Sequence, residues 1–202
     1  MNTLTYIYDD KIYINLTNEC SNNCNFCIRN NNDGVCDYYL WLERNPTAEE
    51  VICDLAQYDK TAYREYVFCG FGEPLYALDV MLAVAAYLKS EGVKTRLNTN
   101  GQADLICGDG TAEKLKGLID TISISLNSCN AQKYNELCHC AFSEEGYFSM
   151  LRFAKECVDL NIRTVMTVVD TIGEADVAEC REIANKIGAE YRVRHYIEHY
   201  EK

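Results

Sequence analysis

Three cysteines share one short run, Cys20-Ser-Asn-Asn-Cys24-Asn-Phe-Cys27. That spacing can gather three thiolates around one metal centre and supplies no fourth ligand beside them. An iron–sulfur cubane normally takes four cysteines, so three leave one iron open to a small molecule. Two other uses of the triplet compete. A structural zinc knuckle would recruit Cys36 as its fourth ligand, although zinc sites more often present two C-x2-C pairs. A ferredoxin-like electron carrier would need a fourth cysteine at ferredoxin spacing. The triplet follows a strand-like run, Lys11-Ile-Tyr-Ile-Asn-Leu-Thr17, which places the thiols at a strand's C-terminal end, where α/β proteins carry their chemistry.

Three more runs have side chains suited to binding. Cys69-Gly-Phe-Gly-Glu-Pro74 follows the second strand pattern, Asn98-Thr-Asn-Gly101 the third, and Ser125-Leu-Asn127 ends the fourth. Singly, the first reads as a glycine turn into a helix and the second as an Asn-Gly turn. Glu73 fits a plain turn poorly, because a carboxylate at the sheet edge is placed to accept charge-assisted hydrogen bonds from an ammonium. His139, His195 and His199 match no nucleophile or metal motif, so general acid–base chemistry has few candidates.

Strand and helix patterns alternate along the chain, which predicts a parallel α/β fold. Strands are expected at 11–17, 65–70, 94–99, 121–127, 162–169 and 190–196. Between them, Thr47-Ala-Glu-Glu50 is a capping box opening a helix that buries Val51, Ile52, Leu55 and Ala56. Further helices are expected at 77–91, stopping at Gly92, near 111–118, at 147–160 and at 174–187. Six units are too few for a closed eight-stranded barrel, which takes about 250 residues. An open six-stranded parallel (β/α)6 partial TIM barrel or a doubly wound sheet remains. Strand parity separates them. Ile12, Ile14 and Leu16 oppose Tyr13, Asn15 and Thr17; Ile122, Ile124 and Leu126 oppose Ser123, Ser125 and Asn127; Arg96, Asn98 and Asn100 share a face, as do Arg192, Arg194 and Tyr196. Doubly wound strands are apolar on both faces, and unpaired buried polar groups cost about 1–3 kcal/mol each. A curved sheet with helices outside and a polar ligand inside satisfies both facts.

The 202 residues are expected to form a single domain, 1–202, with no extension after the sixth strand. A net charge of −12 disfavours nucleic acid and anionic membranes as partners. The sequence has no signal-peptide pattern and no apolar run near the ~18 residues of a membrane span, so a cytoplasmic location is expected. Of the 12 cysteines, Cys53, Cys157 and Cys180 sit at apolar helical positions and read as small core hydrophobes. Besides Cys69 in the second motif, Cys36, Cys107, Cys129, Cys138 and Cys140 remain; loop placement of Cys129, Cys138 and Cys140 would permit an auxiliary cluster or zinc, with reduced thiols the plainer account.

The triplet with an aromatic before its last cysteine, and the order of the later motifs, resemble the radical S-adenosylmethionine (SAM) superfamily across essentially the whole chain. The resemblance implies a [4Fe-4S] cluster on Cys20, Cys24 and Cys27, with SAM on the fourth iron and Phe26 packed beside it. In that family one electron from the cluster cleaves SAM to methionine and a 5′-deoxyadenosyl radical, which abstracts hydrogen from a substrate. Gly72, Glu73 and Pro74 match the family's Gly-Gly-Glu-Pro motif, which binds the SAM ammonium; Phe71 replaces its first glycine. By the same resemblance Asn98 and Asn100 line the SAM pocket, Ser125 and Asn127 hydrogen-bond its ribose or carboxylate, and Val168 and Val169 border the adenine. A flavodoxin or ferredoxin-like reductant is implied. Runs such as Asn15-Leu-Thr-Asn-Glu-Cys20 and Tyr191-Arg-Val-Arg-His195 are similar to the short radical SAM proteins associated with TatD-type hydrolases.

The substrate stays open between two classes. A partner protein or peptide could enter through the side opening of a six-unit barrel. Arg192 and Arg194, on the inner face of the sixth strand, would instead suit a small anionic metabolite, unless they pair with nearby acidic residues. A metal-binding structural or electron-transfer protein that never cleaves SAM is the reading from a different class.

Overall fold

The computed structural model describes residues 2–196. Strands β1 (Thr5–Tyr8) and β2 (Lys11–Ile14) form a hairpin, and β2 then begins a parallel run with β5 (Glu65–Phe68), β6 (Thr95–Thr99), β7 (Thr121–Ser125), β8 (Arg163–Val169) and β9 (Glu190–Arg194). The sheet order is β1-β2-β5-β6-β7-β8-β9, so the six expected parallel strands are present in sequence order, with one antiparallel strand added at the edge. Thr5-Tyr-Ile-Tyr8 carries the β-branched and aromatic residues of a strand, with Asp9-Asp10 as the turn. Those two signals make β1 legible in retrospect. A two-residue ladder, β3 (Gly34–Val35) with β4 (Tyr38–Tyr39), shapes the loop after the cysteine triplet.

Helices α1 (Ala48–Leu55), α2 (Leu78–Ser90), α3 (Ala103–Cys107), α4 (Thr111–Leu115), α5 (Ala131–Cys138), α6 (Glu145–Asp159) and α7 (Glu174–Ile187) complete the chain. The Thr47–Glu50 capping box is present in both directions. α3 and α5 were not expected; α5 has a sequence cue, since the Asn130 side chain caps it by accepting from Lys133 N at 2.9 Å.

The even-numbered side chains of β2, β5 and β7 face outward. Ile12, Ile14, Tyr66, Phe68, Ile122 and Ile124 have no exposed surface and share one apolar core with Val51, Leu55, Met81, Leu88, Phe153 and Cys157. Full burial of each such aliphatic side chain stabilises by roughly 1.5–3 kcal/mol, which fixes the polar parity inward. Val168 belongs to this outer core and not to the cavity, because it alternates with Thr167 and Val169. Two α1 expectations also change. Cys53 and Ala56 are exposed and Ile52 is half-buried. Val51 and Leu55 lie one turn apart against the sheet, and residue 53 is about 200° from residue 51 around the helix. Cys157 and Cys180 are buried as expected.

The strands end earlier than their polarity patterns suggested. Residues 15–17, 69–70 and 126–127 leave the ladder as loops, and Asn127 takes a left-handed φ of 57°. His199 lies outside the described residues. No helix among the described residues is long and apolar enough to cross a membrane.

Candidate functional site

The C-terminal ends of the parallel strands enclose a cavity of about 260 Å³. Cys20, Cys24, Phe26, Cys27, Gly72, Glu73, Asn98, Asn100, Ser125, Asn127, Val169, Arg192 and Arg194 all line it. Pro74 does not; it opens a 3-10 turn behind the wall. The cavity also takes in Asn22, Cys69, Ser123, Thr167, His195 and Tyr196, which the motifs did not single out. Alternation in the sequence places Ser123 and Tyr196 on the inner face; Thr167 and Cys69 share the inward parity of their strands, and that periodicity is the signal that could have found them.

The cysteine loop is held from two sides. α5 ends against it, with Asn23 N donating to Cys138 O at 2.8 Å and Asn25 N to Leu137 O at 3.0 Å. On the other side Ser21 Oγ donates to Gln102 Oε1 at 2.6 Å, Asn100 Nδ2 to Ser21 Oγ at 2.9 Å, and Gln102 Nε2 to Asn22 Oδ1 at 2.9 Å. Tyr134 OH accepts from both Gln102 Nε2 and Asn22 Nδ2. A fully satisfied buried network of this kind rigidifies what it touches. Gly72 makes the loop's close approach possible, since a Cβ there would lie 2.3 Å from Thr17 O and 2.6 Å from Glu19 O. The adjacent Glu73 N donates to Glu19 O at 2.7 Å.

Glu73 is 3% exposed. Its Oε1 accepts from Thr99 Oγ1 at 2.7 Å and Leu75 N at 3.3 Å, and its Oε2 from Asn100 N at 2.7 Å. The carboxylate therefore ties the β5 turn to the β6 turn. Burial raises its pKa to about 7, and the three hydrogen bonds oppose that rise. Burial, with the Glu73 charge adding to it, pushes the Cys20 thiol up to about 12. Cys24 is pushed up by its hydrogen bond to Cys138 and then by burial. Such thiols become thiolates only against a strong local positive charge, which a metal supplies.

Two polar atoms at the site lack partners. Asn127 is 3% exposed, and its Oδ1 accepts no hydrogen bond; neither does the buried Oδ1 of Asn98. Each leaves an acceptor at a cavity wall, a cost sustained only where a ligand supplies the donor. The donor set thus fits a three-thiolate cluster with a polar organic ligand beside it. Cys36 sits apart from the cavity, packed with Tyr6, Val35, Leu40 and Phe71. Cys138, the last residue of α5 and hence not a loop residue as expected, lies behind Cys24 and does not line the cavity. Neither places a fourth thiol there. Of the other cysteines, Cys69 lines the cavity from the end of β5, Cys129 is grouped with Asp176 and Glu179, and Cys140 Sγ packs over Gly146. Lys133 Nζ already holds Asp176 at 2.7 Å.

Comparison with known proteins agrees with this geometry. Residues 14–185 match the Radical SAM superfamily. The chain is 26% identical over 188 residues to the probable GTP 3',8-cyclase of Methanocaldococcus jannaschii, covering 91% of this chain and 58% of that protein. Among solved structures, Streptococcus suis SuiB bound to S-adenosylmethionine superposes with a TM-score of 0.74 at 19% identity, over 94% of this chain and 41% of SuiB. A radical SAM methyltransferase from Sphaerobacter thermophilus gives 0.65 at 15% identity, over 95% of this chain and 68% of its own. The chain therefore spans little more than half of the curated relative and about two-fifths of SuiB. With the fold, the cavity and the family match in agreement, the chain belongs to the radical SAM superfamily, whose enzymes use a [4Fe-4S] cluster and SAM.

Proposed function

We propose that this chain is a radical SAM enzyme in which Cys20, Cys24 and Cys27 hold the [4Fe-4S] cluster and the adjoining cavity holds SAM. The observation that carries the reading is the meeting of three thiols and the unpartnered Asn127 Oδ1 in one cavity. The bound group supplies reductive cleavage of SAM to a hydrogen-abstracting radical. The chain's own residues bind, orient and shield. Phe26 offers an apolar face beside the cluster loop, and Gly72 lets the β5 turn approach that loop. Glu73 fixes the turn backbone and keeps a carboxylate at the SAM ammonium. Asn98, Asn100, Ser125 and Asn127 supply polar contacts to SAM, and Val169 borders its adenine.

A reductant of flavodoxin or ferredoxin type belongs to this reading, as radical SAM enzymes generally need one. The substrate is either a peptide, the kind of molecule bound in the SuiB structure with its precursor peptide SuiA, or a small anionic metabolite. The finer grouping with the short TatD-associated proteins rests on sequence resemblance. Anaerobic reconstitution is the test: about four irons per chain, and 5′-deoxyadenosine on adding SAM and dithionite. A full cluster that never yields 5′-deoxyadenosine would replace the enzyme reading with that of an electron carrier.

A further inference from the structure

We propose that the β9 wall of the cavity binds an anionic group of the substrate, a phosphate or a carboxylate on a small molecule, through Arg192 and Arg194. This rests on the functional reading above and names the substrate class that reading leaves open.

β9 alternates strictly. Tyr191 and Val193 pack outward against the helices, with Tyr191 OH donating to Val177 O at 3.0 Å, so Arg192 and Arg194 project into the cavity, and both line it. Among the described residues no carboxylate pairs with either guanidinium; Arg192 has one long contact, Nη2 to Ser123 Oγ at 3.5 Å. Two other arginines on the inner face of the sheet are paired: Arg96 with Glu65 at 2.5 Å and Arg163 with Glu190 at 2.8 Å. Burial disfavours the charged form of Arg192, and the neighbouring Arg96 and Arg194 guanidiniums disfavour it further.

Among the described residues Glu73 is the only carboxylate on the cavity wall, and its oxygens already accept from Leu75, Thr99 and Asn100. The chain has 31 acidic against 19 basic residues, so counter-ions are abundant elsewhere. Both arginines are solvent-exposed at the cavity mouth, and with no carboxylate partner among the described residues they form a local excess of positive charge that an anion would relieve. The planar, forked guanidinium suits oxyanions that accept two hydrogen bonds at once. A cationic wall inside an acidic protein also focuses the field on the cavity and draws anions there.

The test is calorimetric titration of the anaerobically reconstituted protein at low salt, with and without SAM, using inorganic pyrophosphate and citrate as probes. Saturable binding of either probe, weakened by added salt and reduced at least tenfold in R192Q/R194Q, is the expected result. Pyrophosphate alone binding assigns a phosphorylated substrate, citrate alone a carboxylated one, and both binding supports the shared oxyanion chemistry. The R192K/R194K variant should recover part of the affinity, and unchanged iron content shows that each variant is folded. Three outcomes overturn the proposal: no saturable binding of either probe, equal binding by R192Q/R194Q, or a loss of SAM affinity matching the loss of probe affinity, which would give the arginines to the SAM carboxylate. A tetraglutamate peptide that binds where neither probe does would also overturn it, in favour of an acidic peptide. Because titration needs no turnover, failure here is separable from failure to form 5′-deoxyadenosine.

Discussion

The two ends of the barrel are built on opposite principles. At the N-terminal ends of the strands Arg64, Glu65, Lys94, Arg96, Asp120, Thr121 and Arg163 line a recess of about 510 Å³, larger than the about 260 Å³ of the C-terminal cavity. Yet this floor is laced with opposite charges: Arg96–Glu65, Arg163–Glu190, Lys89–Asp120 and Arg64–Asp10 all pair within 3.3 Å. The C-terminal mouth has thiols, amide oxygens without donors, and guanidiniums with no carboxylate partner among the described residues. Volume does not distinguish a site here; the pairing of charge does. The floor's charges are paired with one another, whereas the mouth sets three thiols and two unpartnered amide acceptors beside guanidiniums that no described carboxylate opposes.

The largest effect that tests this contrast is at the mouth. Cys24→Ala should reduce iron from about four per chain to background and abolish 5′-deoxyadenosine formation. A variant retaining both would remove Cys24 from the ligand set. At the floor, Arg96→Leu leaves Glu65 buried without its counter-charge and should destabilise by about 3–5 kcal/mol in chemical denaturation, with SAM affinity unchanged in the folded protein. A loss below about 1 kcal/mol would mean the pair behaves as a surface ion pair and seals nothing.

Gly72→Ala drives a Cβ into the carbonyls of Thr17 and Glu19. It should cost about 1–3 kcal/mol as overpacking and lower iron incorporation, since the cysteine loop must shift to admit it. Wild-type stability and iron content in this variant would show that the close approach is dispensable.

Glu73 gives a pH dependence with a definite sign. Its folded pKa, about 7, lies above its ordinary value of 4.5 because burial penalises the charge. The folded state therefore holds the proton to higher pH than the unfolded state does. The group's contribution is most favourable below pH 4.5 and is lost as pH rises through about 7. The slope in that window is at most about 1.4 kcal/mol per pH unit. Urea denaturation of Glu73→Gln without metal or SAM should lack this component, and an unchanged slope would reassign it to another group. The smallest effect is expected on the surface. Arg44→Ala removes the exposed pair with Glu50 and should leave the denaturation midpoint where it is, in contrast to Arg96.

Much of the inner wall was readable from alternation. Ser125, Asn127, Asn98 and both β9 arginines lie on the faces their parity assigns and line one cavity. Short amphipathic pieces were harder. β1 has four residues and α3 five, too few for a period to emerge over local propensity. Val168 shows the limit of a mostly apolar strand: Thr164 and Thr167 fall on opposite faces of β8, so alternation does not say which face is inside. Cys53 was misplaced because an apolar neighbourhood in sequence is not a face; on a helix, adjacent residues point about 100° apart.

The sequence alone determined the βα order, the inward polar parity and the three thiols at a strand end, because each depends on spacing along the chain and local backbone period. Tertiary structure decided what no spacing encodes. It set Cys138 behind Cys24, and it took Glu73 as a brace between two turns. It also left Arg192 and Arg194 without a carboxylate partner among the described residues, while Arg96 and Arg163 found theirs. Those outcomes depend on which distant residues come within a few ångströms once the sheet curves, and that is a property of the closed chain.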